Sequence, residues 1–168
     1  MHNNVVAALC AALPDQGWAA LCFNFRGVGA SQGAYGGGVP EQEDVRAALR
    51  FLAGLPEVAG DRLAVAGYSF GSWVGLSAAA ADPRVTALVA VSPPLPTYDF
   101  GFLVACPEPK LFLYGDRDQY VGQAALQELL AALPEPKEHR LFPGADHFWL
   151  AREGVMAAAA GAFLAGTR

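Results

Sequence analysis

Ser69 stands at the centre of Gly67-Tyr68-Ser69-Phe70-Gly71, between a run of small and β-branched residues starting at Leu63 and an apolar helical stretch. A serine with glycines two positions to either side suits a turn so tight that a Cβ at either flank would clash. Such a strand-turn-helix joint holds the hydroxyl out at the carboxyl edge of a sheet. The Phe70 N–H, at the helix N-terminus, is then placed to donate to an oxyanion, and the helix dipole has the favourable sign. The chemistry that fits is nucleophilic attack on a carbonyl. The bare pentapeptide could arise by chance in a chain with 19 glycines, so the strand-turn-helix context carries the weight.

A serine hydroxyl needs a base, and the chain has three histidines. His2 lies at the chain start, and His139 falls in a short polar strand where it is expected to face solvent. His147 follows Phe142-Pro143-Gly144-Ala145-Asp146, a loop after the last strand, which brings it to the same edge as Ser69. The base in turn needs an acid from a loop after a preceding strand. Tyr114-Gly115-Asp116-Arg117-Asp118 offers two. Asp118 is preferred because it lies further over the edge, while Asp116 could pair with Arg117 or cap the turn. The chain order Ser69, Asp118, His147 is that of α/β-hydrolases and not of chymotrypsin-like or subtilisin-like proteases.

The elements that must position these residues alternate along the chain. Asn3 or Asn4 can cap a helix with a buried stripe at Val5, Leu9 and Leu13, ended by Pro14 to Gly17. Trp18 to Phe25 is nearly all apolar and predicts a parallel strand covered on both faces. After a glycine-rich loop to Gly38, Pro40 opens a helix with Glu41, Glu43 and Asp44 in its first turn. There follow strand Leu63 to Tyr68, helix Phe70 to Ala81, strands Val85 to Ser92 and Lys110 to Tyr114, helix Val121 to Leu133, strand Glu138 to Phe142 and a helix from about Trp149 to Phe163. This alternation predicts one three-layer α/β/α domain over 1–168, with a mostly parallel sheet.

Composition narrows the function classes. The net charge is −5 and no Lys/Arg cluster could neutralise a row of phosphates, which argues against nucleic acid as a partner. The three cysteines, Cys10, Cys22 and Cys106, show no Cys-x-x-Cys pair, so neither a disulfide framework nor a zinc site is expected and a reducing cytoplasm suits them. The Val5 to Leu13 run lacks a preceding basic residue, and Gly154 to Ala165 falls short of the about 20 apolar residues a bilayer span needs. Neither a leader nor a membrane span is expected. The glycine loop fails as a dinucleotide fingerprint because it does not open directly into a helix. Arg26 either fixes that loop by hydrogen bonds or steers an anionic substrate.

Four stretches carry a family resemblance: Phe23 to Gly33 (Phe-Asn-Phe-Arg-Gly-Val-Gly-Ala-Ser-Gln-Gly), the Ser69 turn, Gly115 to Asp118, and Gly144-Ala145-Asp146-His147-Phe148. The chain resembles small, lid-poor α/β-hydrolases of the dienelactone-hydrolase-like group. The resemblance implies Ser69 as nucleophile, Asp118 as acid, His147 as base and the Phe70 N–H as one oxyanion donor. Dienelactone hydrolases proper carry cysteine where this chain has Ser69, so a lactone substrate is not implied. Relatives of this kind begin with two or three further strands, one of which lies between the strand at Trp18 to Phe25 and that at Leu63 to Tyr68. The fold is therefore expected to be N-terminally incomplete, with a gap at the centre of the sheet. The two strands close up, a partner chain fills the gap, or the natural chain is longer.

The activity this implies is a carboxylesterase-like serine hydrolysis of small ester-type molecules, with no metal or organic cofactor called for. The Pro93 to Pro109 loop is too short for a lid domain and is expected to wall an open pocket. Tyr68, Tyr98 and Phe100 are the candidate substrate contacts. The alternatives are a weakly active or non-catalytic binding protein on the same fold, and an exopeptidase with the same three residues. Assembly with a second copy of the chain stays open.

Overall fold

The computed structural model describes residues 3–167. Strands Leu63–Tyr68 (β1), Val85–Val91 (β2), Lys110–Gly115 (β3) and Lys137–Phe142 (β4) form one parallel sheet in the order β1-β2-β3-β4. Helices Asn4–Ala12 (α1), Glu41–Ala53 (α2), Phe70–Ala79 (α3), Gln123–Ala132 (α4) and Glu153–Gly166 (α5) cover it. Parallel neighbours require crossover connections, and α3 and α4 supply them between β1 and β2 and between β3 and β4.

Side-chain alternation in the two central strands builds two cores. Leu88 and Ala90 of β2, with Phe112 and Tyr114 of β3, pack under α2, α3 and α4 through Val45, Leu49, Val74, Leu76, Leu126 and Leu130. Ala87, Val89 and Val91, with Leu111 and Leu113, face α1 and α5 through Val5, Leu9, Met156, Ala160 and Leu164. Asn3 caps α1 by accepting the Val6 N–H at 3.0 Å, and Gly17 takes a left-handed φ of 73° where the chain turns back. The last helix starts at Glu153, later than expected, because Trp149 and Ala151 hold positive φ values of 58° and 60° that no right-handed helix allows.

Two expectations are corrected. Trp18 to Phe25 does not form a strand: it runs beside β1 without a ladder, and β1 is the edge of the sheet. Its composition suits a strand, but a strand exists only where a neighbour takes its N–H and C=O groups. The two segments stay apart around a groove of about 710 Å³ lined by Phe23, Phe25, Leu63, Val65 and Gly67, so the closing-up option does not occur. Second, Cys10 and Cys22 are joined as a disulfide, their Cα atoms 6.7 Å apart. The turn at Pro14–Gly17 folds residue 22 back beside α1, a proximity that spacing in the sequence does not reveal. The pairing removes the argument for a reducing compartment drawn from unpaired cysteines. No helix among the described residues is long and apolar enough to cross a membrane.

Arg26 is turned inward to fix its loop. Its guanidinium meets Asp44 at 2.7 Å and its N–H donates to the same carboxylate at 2.9 Å. Glu41, buried, accepts the N–H groups of Gly36 and Gly38 at 2.7 and 2.6 Å. The Arg26 hydrogen bond holds the Asp44 carboxyl below the usual carboxylate range. For Glu41, burial pushes upward, but backbone hydrogen bonds and the charge of Arg26 outweigh it and its value is lowered too. Both folded values lie below the unfolded ones, so the stability they contribute is complete above the ordinary carboxylate range and is lost as pH falls through the lowered values. Asp44→Asn removes the Asp44 share at every pH. The melting temperature of that variant is expected to fall less steeply on the acid side than the parent's, and parallel curves would show that the Arg26–Asp44 pair contributes nothing.

Candidate active site

The turn between β1 and α3 places Ser69 at φ 50°, ψ −125°, a conformation few side-chain-bearing residues adopt. A Cβ at Gly67 would fall on the Gly71 carbonyl and the Ser72 Cα, so only glycine lets β1 and α3 meet this closely. The turn is tied down on both sides: the Ser69 N–H donates to Val91 O at 2.9 Å, and the Ser72 hydroxyl donates to Ser69 O at 2.6 Å. Phe70 opens α3, so its N–H has no carbonyl four residues back within the helix to bond.

His147 reaches this turn from the loop after β4. Its Nε2 lies 2.9 Å from Ser69 Oγ, and its Nδ1 lies 3.0 and 3.1 Å from the two carboxylate oxygens of Asp118. With Nδ1 facing a carboxylate, the ring proton belongs on Nδ1 and Nε2 is free to accept from the serine. The Asp118 side chain is fully buried. Burial alone would raise its pKa, but hydrogen bonds from the His147 and Ser92 side chains and from the Tyr120 N–H prevail and hold it below the usual carboxylate range. Asp118 therefore stays charged at neutral pH. Asp116 is elsewhere: it accepts the Gly144 N–H at 2.6 Å and so steadies the loop that carries His147.

The expected substrate contacts divide. Tyr98 is half-buried, stacked on Trp73 with ring centroids 4.6 Å apart and edge-on to Phe70 at 5.9 Å, and so belongs to an aromatic wall beside Ser69. Tyr68 instead donates its hydroxyl to His147 O at 2.9 Å; burial and the charges of Asp118 and Asp146 push its pKa up to about 12. Phe100 is buried in the core and stacked on Phe102, because the short helical turn after it folds inward; it presents no surface to a ligand. His139 is exposed, as expected, and His2 lies outside the described residues.

Two rings that the sequence reading passed over flank the imidazole. Tyr120 lies edge-on at 4.6 Å and Phe148 at 5.7 Å, and they are 47% and 52% exposed, which makes them the outer rim of the site. Both sit within two residues of Asp118 or His147, a nearness that could have flagged them. The groove beside β1 opens onto Ser69 and Phe70, so apolar surface continues from the sheet to the serine. A serine hydroxyl, an imidazole held by a buried carboxylate and the start of a helix thus meet at one point, an arrangement chemically suited to acyl transfer.

Residues 4–165 match the dienelactone hydrolase family. An uncharacterized protein of Rickettsia prowazekii is 38% identical over 157 residues, which cover 89% of this chain and 66% of that protein. A putative α/β hydrolase of Agrobacterium tumefaciens superposes with a TM-score of 0.88 at 32% identity, covering 96% of this chain and 76% of its own. A serine hydrolase without a lid from Xanthomonas campestris gives a TM-score of 0.85, also at 32% identity, covering 98% and 73%. The chain thus spans slightly under two thirds of the Rickettsia protein and about three quarters of the two solved structures.

Gly115, at the end of β3, packs against the His147 loop so closely that an added Cβ would fall on the Ala145 carbonyl. Gly115→Ala is expected to cost about 1–3 kcal/mol in urea denaturation, the usual penalty of overpacking. Gly154→Ala, where the added Cβ meets nothing within 4 Å, is expected to leave stability unchanged or raise it. Equal effects of the two substitutions would count against the close packing of β3 on this loop.

Proposed function

We propose that this chain, which belongs to the dienelactone hydrolase family, is a serine hydrolase acting on small ester-type substrates through an acyl-enzyme. The observation that carries the reading is the unbroken hydrogen-bonded series Ser69 Oγ, His147, Asp118, in which the base lies 2.9 Å from the nucleophile. His147 takes the proton of Ser69 as Oγ attacks the ester carbonyl. The tetrahedral oxyanion is met by the Phe70 N–H, and collapse expels the alcohol, to which His147 returns the proton. Water, deprotonated by His147, then attacks the acyl-serine and releases the acid. Asp118 remains ionised throughout and stabilises the imidazolium.

The walls support the choice of substrate. Phe70, Tyr98 and Tyr35 on one side, and Tyr120 and Phe148 on the other, offer apolar faces to an acyl or aryl group. That favours an esterase over an exopeptidase. A binding role on the same fold is the competing reading, and the open groove next to Ser69 is the observation in its favour.

A fluorophosphonate probe is expected to label Ser69 in the parent and not in Ser69→Ala. Hydrolysis of a short-chain p-nitrophenyl ester should fall by about 10⁴-fold in Asp118→Asn, the loss typical of an imidazole held in the wrong tautomer. Asp116→Asn should keep activity within a few-fold. Absence of labelling in the parent would favour the binding role. Equal losses in the two aspartate variants would overturn Asp118 as the acid.

A further inference from the structure

Four described non-glycine residues hold positive φ: Ser69 at 50°, Ser92 at 50°, Trp149 at 58° and Ala151 at 60°. Such conformations persist only where the surroundings over-determine them. Three of the four belong to one side-chain network. Ser92 follows β2, is fully buried, and has its N–H bonded across to Leu113 O at 2.8 Å. Trp149 follows the His147 loop and is also fully buried. Its N–H is held by Asp146 Oδ1 at 3.0 Å and its ring lies edge-on to Phe142 at 5.2 Å. The indole Nε1 donates to Ser92 Oγ at 2.9 Å.

The direction of the network follows from which groups can donate. An indole nitrogen only donates, so Ser92 Oγ accepts from Trp149 and its own proton must go elsewhere. An ionised carboxylate only accepts, and the Ser92 hydroxyl is one of the groups that hold the buried Asp118 carboxyl below the usual carboxylate range. Asp118 also accepts the Tyr120 N–H at 3.0 Å and faces His147 Nδ1. Hydrogens therefore point one way, from Trp149 to Ser92 to Asp118, and the carboxylate so held faces the imidazole that touches Ser69. A glycine at position 92 would adopt the same backbone without strain. What the serine adds is its hydroxyl.

We propose that Ser92 and Trp149 are positioning residues, a donor relay that orients the Asp118 carboxylate and limits how strongly it pulls on His147. The inference rests on the reading of Ser69, His147 and Asp118 as a catalytic unit. The titratable groups facing His147 are Asp118, Tyr68 through its hydroxyl and Tyr120 through its ring, with Asp146 in the turn beside it. Of the two carboxylates, Asp118 bonds the ring and Asp146 bonds the Phe148 and Trp149 N–H groups. Removing the Ser92 donor leaves more of the Asp118 charge for the imidazole and frees the carboxylate to rotate.

The test uses the full chain as Ser92→Gly, which drops the hydroxyl and relieves the backbone, Ser92→Ala, and Trp149→Phe, which keeps an aromatic ring without the N–H. Two readouts are followed: the downfield proton resonance of the His147–Asp118 bond, identified by its loss in Asp118→Asn, and the pH profile of acylation by p-nitrophenyl acetate. Both Ser92 variants are expected to move the resonance further downfield and to shift the acid limb of acylation upward by roughly half a pH unit. Acylation itself should slow about tenfold. Trp149→Phe should act in the same direction and less. A Ser92→Gly protein with the parent's resonance and acid limb would overturn the proposal, because loss of packing alone moves neither. A shifted resonance in a chain that does not acylate would uphold the relay while the esterase reading fails. An unshifted one in an active enzyme would do the reverse.

Discussion

The backbone of Ser69, at φ 50° and ψ −125°, is the constraint on which the carboxyl edge of the sheet depends. A serine stays in that conformation only because β1 and α3 are pressed together at Gly67, because its N–H is bonded to Val91 O, and because Ser72 returns a hydrogen bond to its carbonyl. Each restraint comes from a different element, so the turn is a product of the packed sheet and not of the pentapeptide alone. The result is a hydroxyl standing clear of the sheet with the start of a helix behind it. The His147 loop meets that hydroxyl at 2.9 Å because β3 and β4 end at the same level, Gly115 opposite Phe142.

The polar groups at this edge form a connected set. A buried carboxylate such as Asp118 is costly unless donors surround it. Here the donors are a backbone N–H, the imidazole and a serine hydroxyl, and together they keep the group ionised despite its burial. Tyr68 extends the set by donating to the His147 carbonyl, so the residue before Ser69 steadies the loop that carries the imidazole. The aromatic rings of Phe70, Tyr98, Tyr120 and Phe148 flank the serine and the imidazole.

The β1 flank of the sheet is more open. β1 is only partly buried, whereas β3 is buried throughout and β2 everywhere except at Thr86. The apolar segment Trp18 to Phe25 lies across a groove from it, tied within its length by the Cys10–Cys22 disulfide and just beyond it by Arg26 and Asp44. These ties hold the segment without a ladder.

The α/β class, the four paired strands and the Ser69 turn were legible in the sequence, because local periodicity and the glycine spacing around Ser69 reflect constraints that act within a few residues. The preference for Asp118 over Asp116 rested on its reach beyond the end of β3, and the structure brings Asp118, not Asp116, to His147. The remainder depended on tertiary structure. Whether Trp18 to Phe25 pairs depends on a neighbour distant in the chain, and Phe100 is buried because of what packs around it. The Cys10–Cys22 pairing needs the turn at Gly17, and the Trp149–Ser92 bond joins residues 57 positions apart. Sequence carries the propensities of short segments, whereas the partners of a polar group are set only when the segments dock.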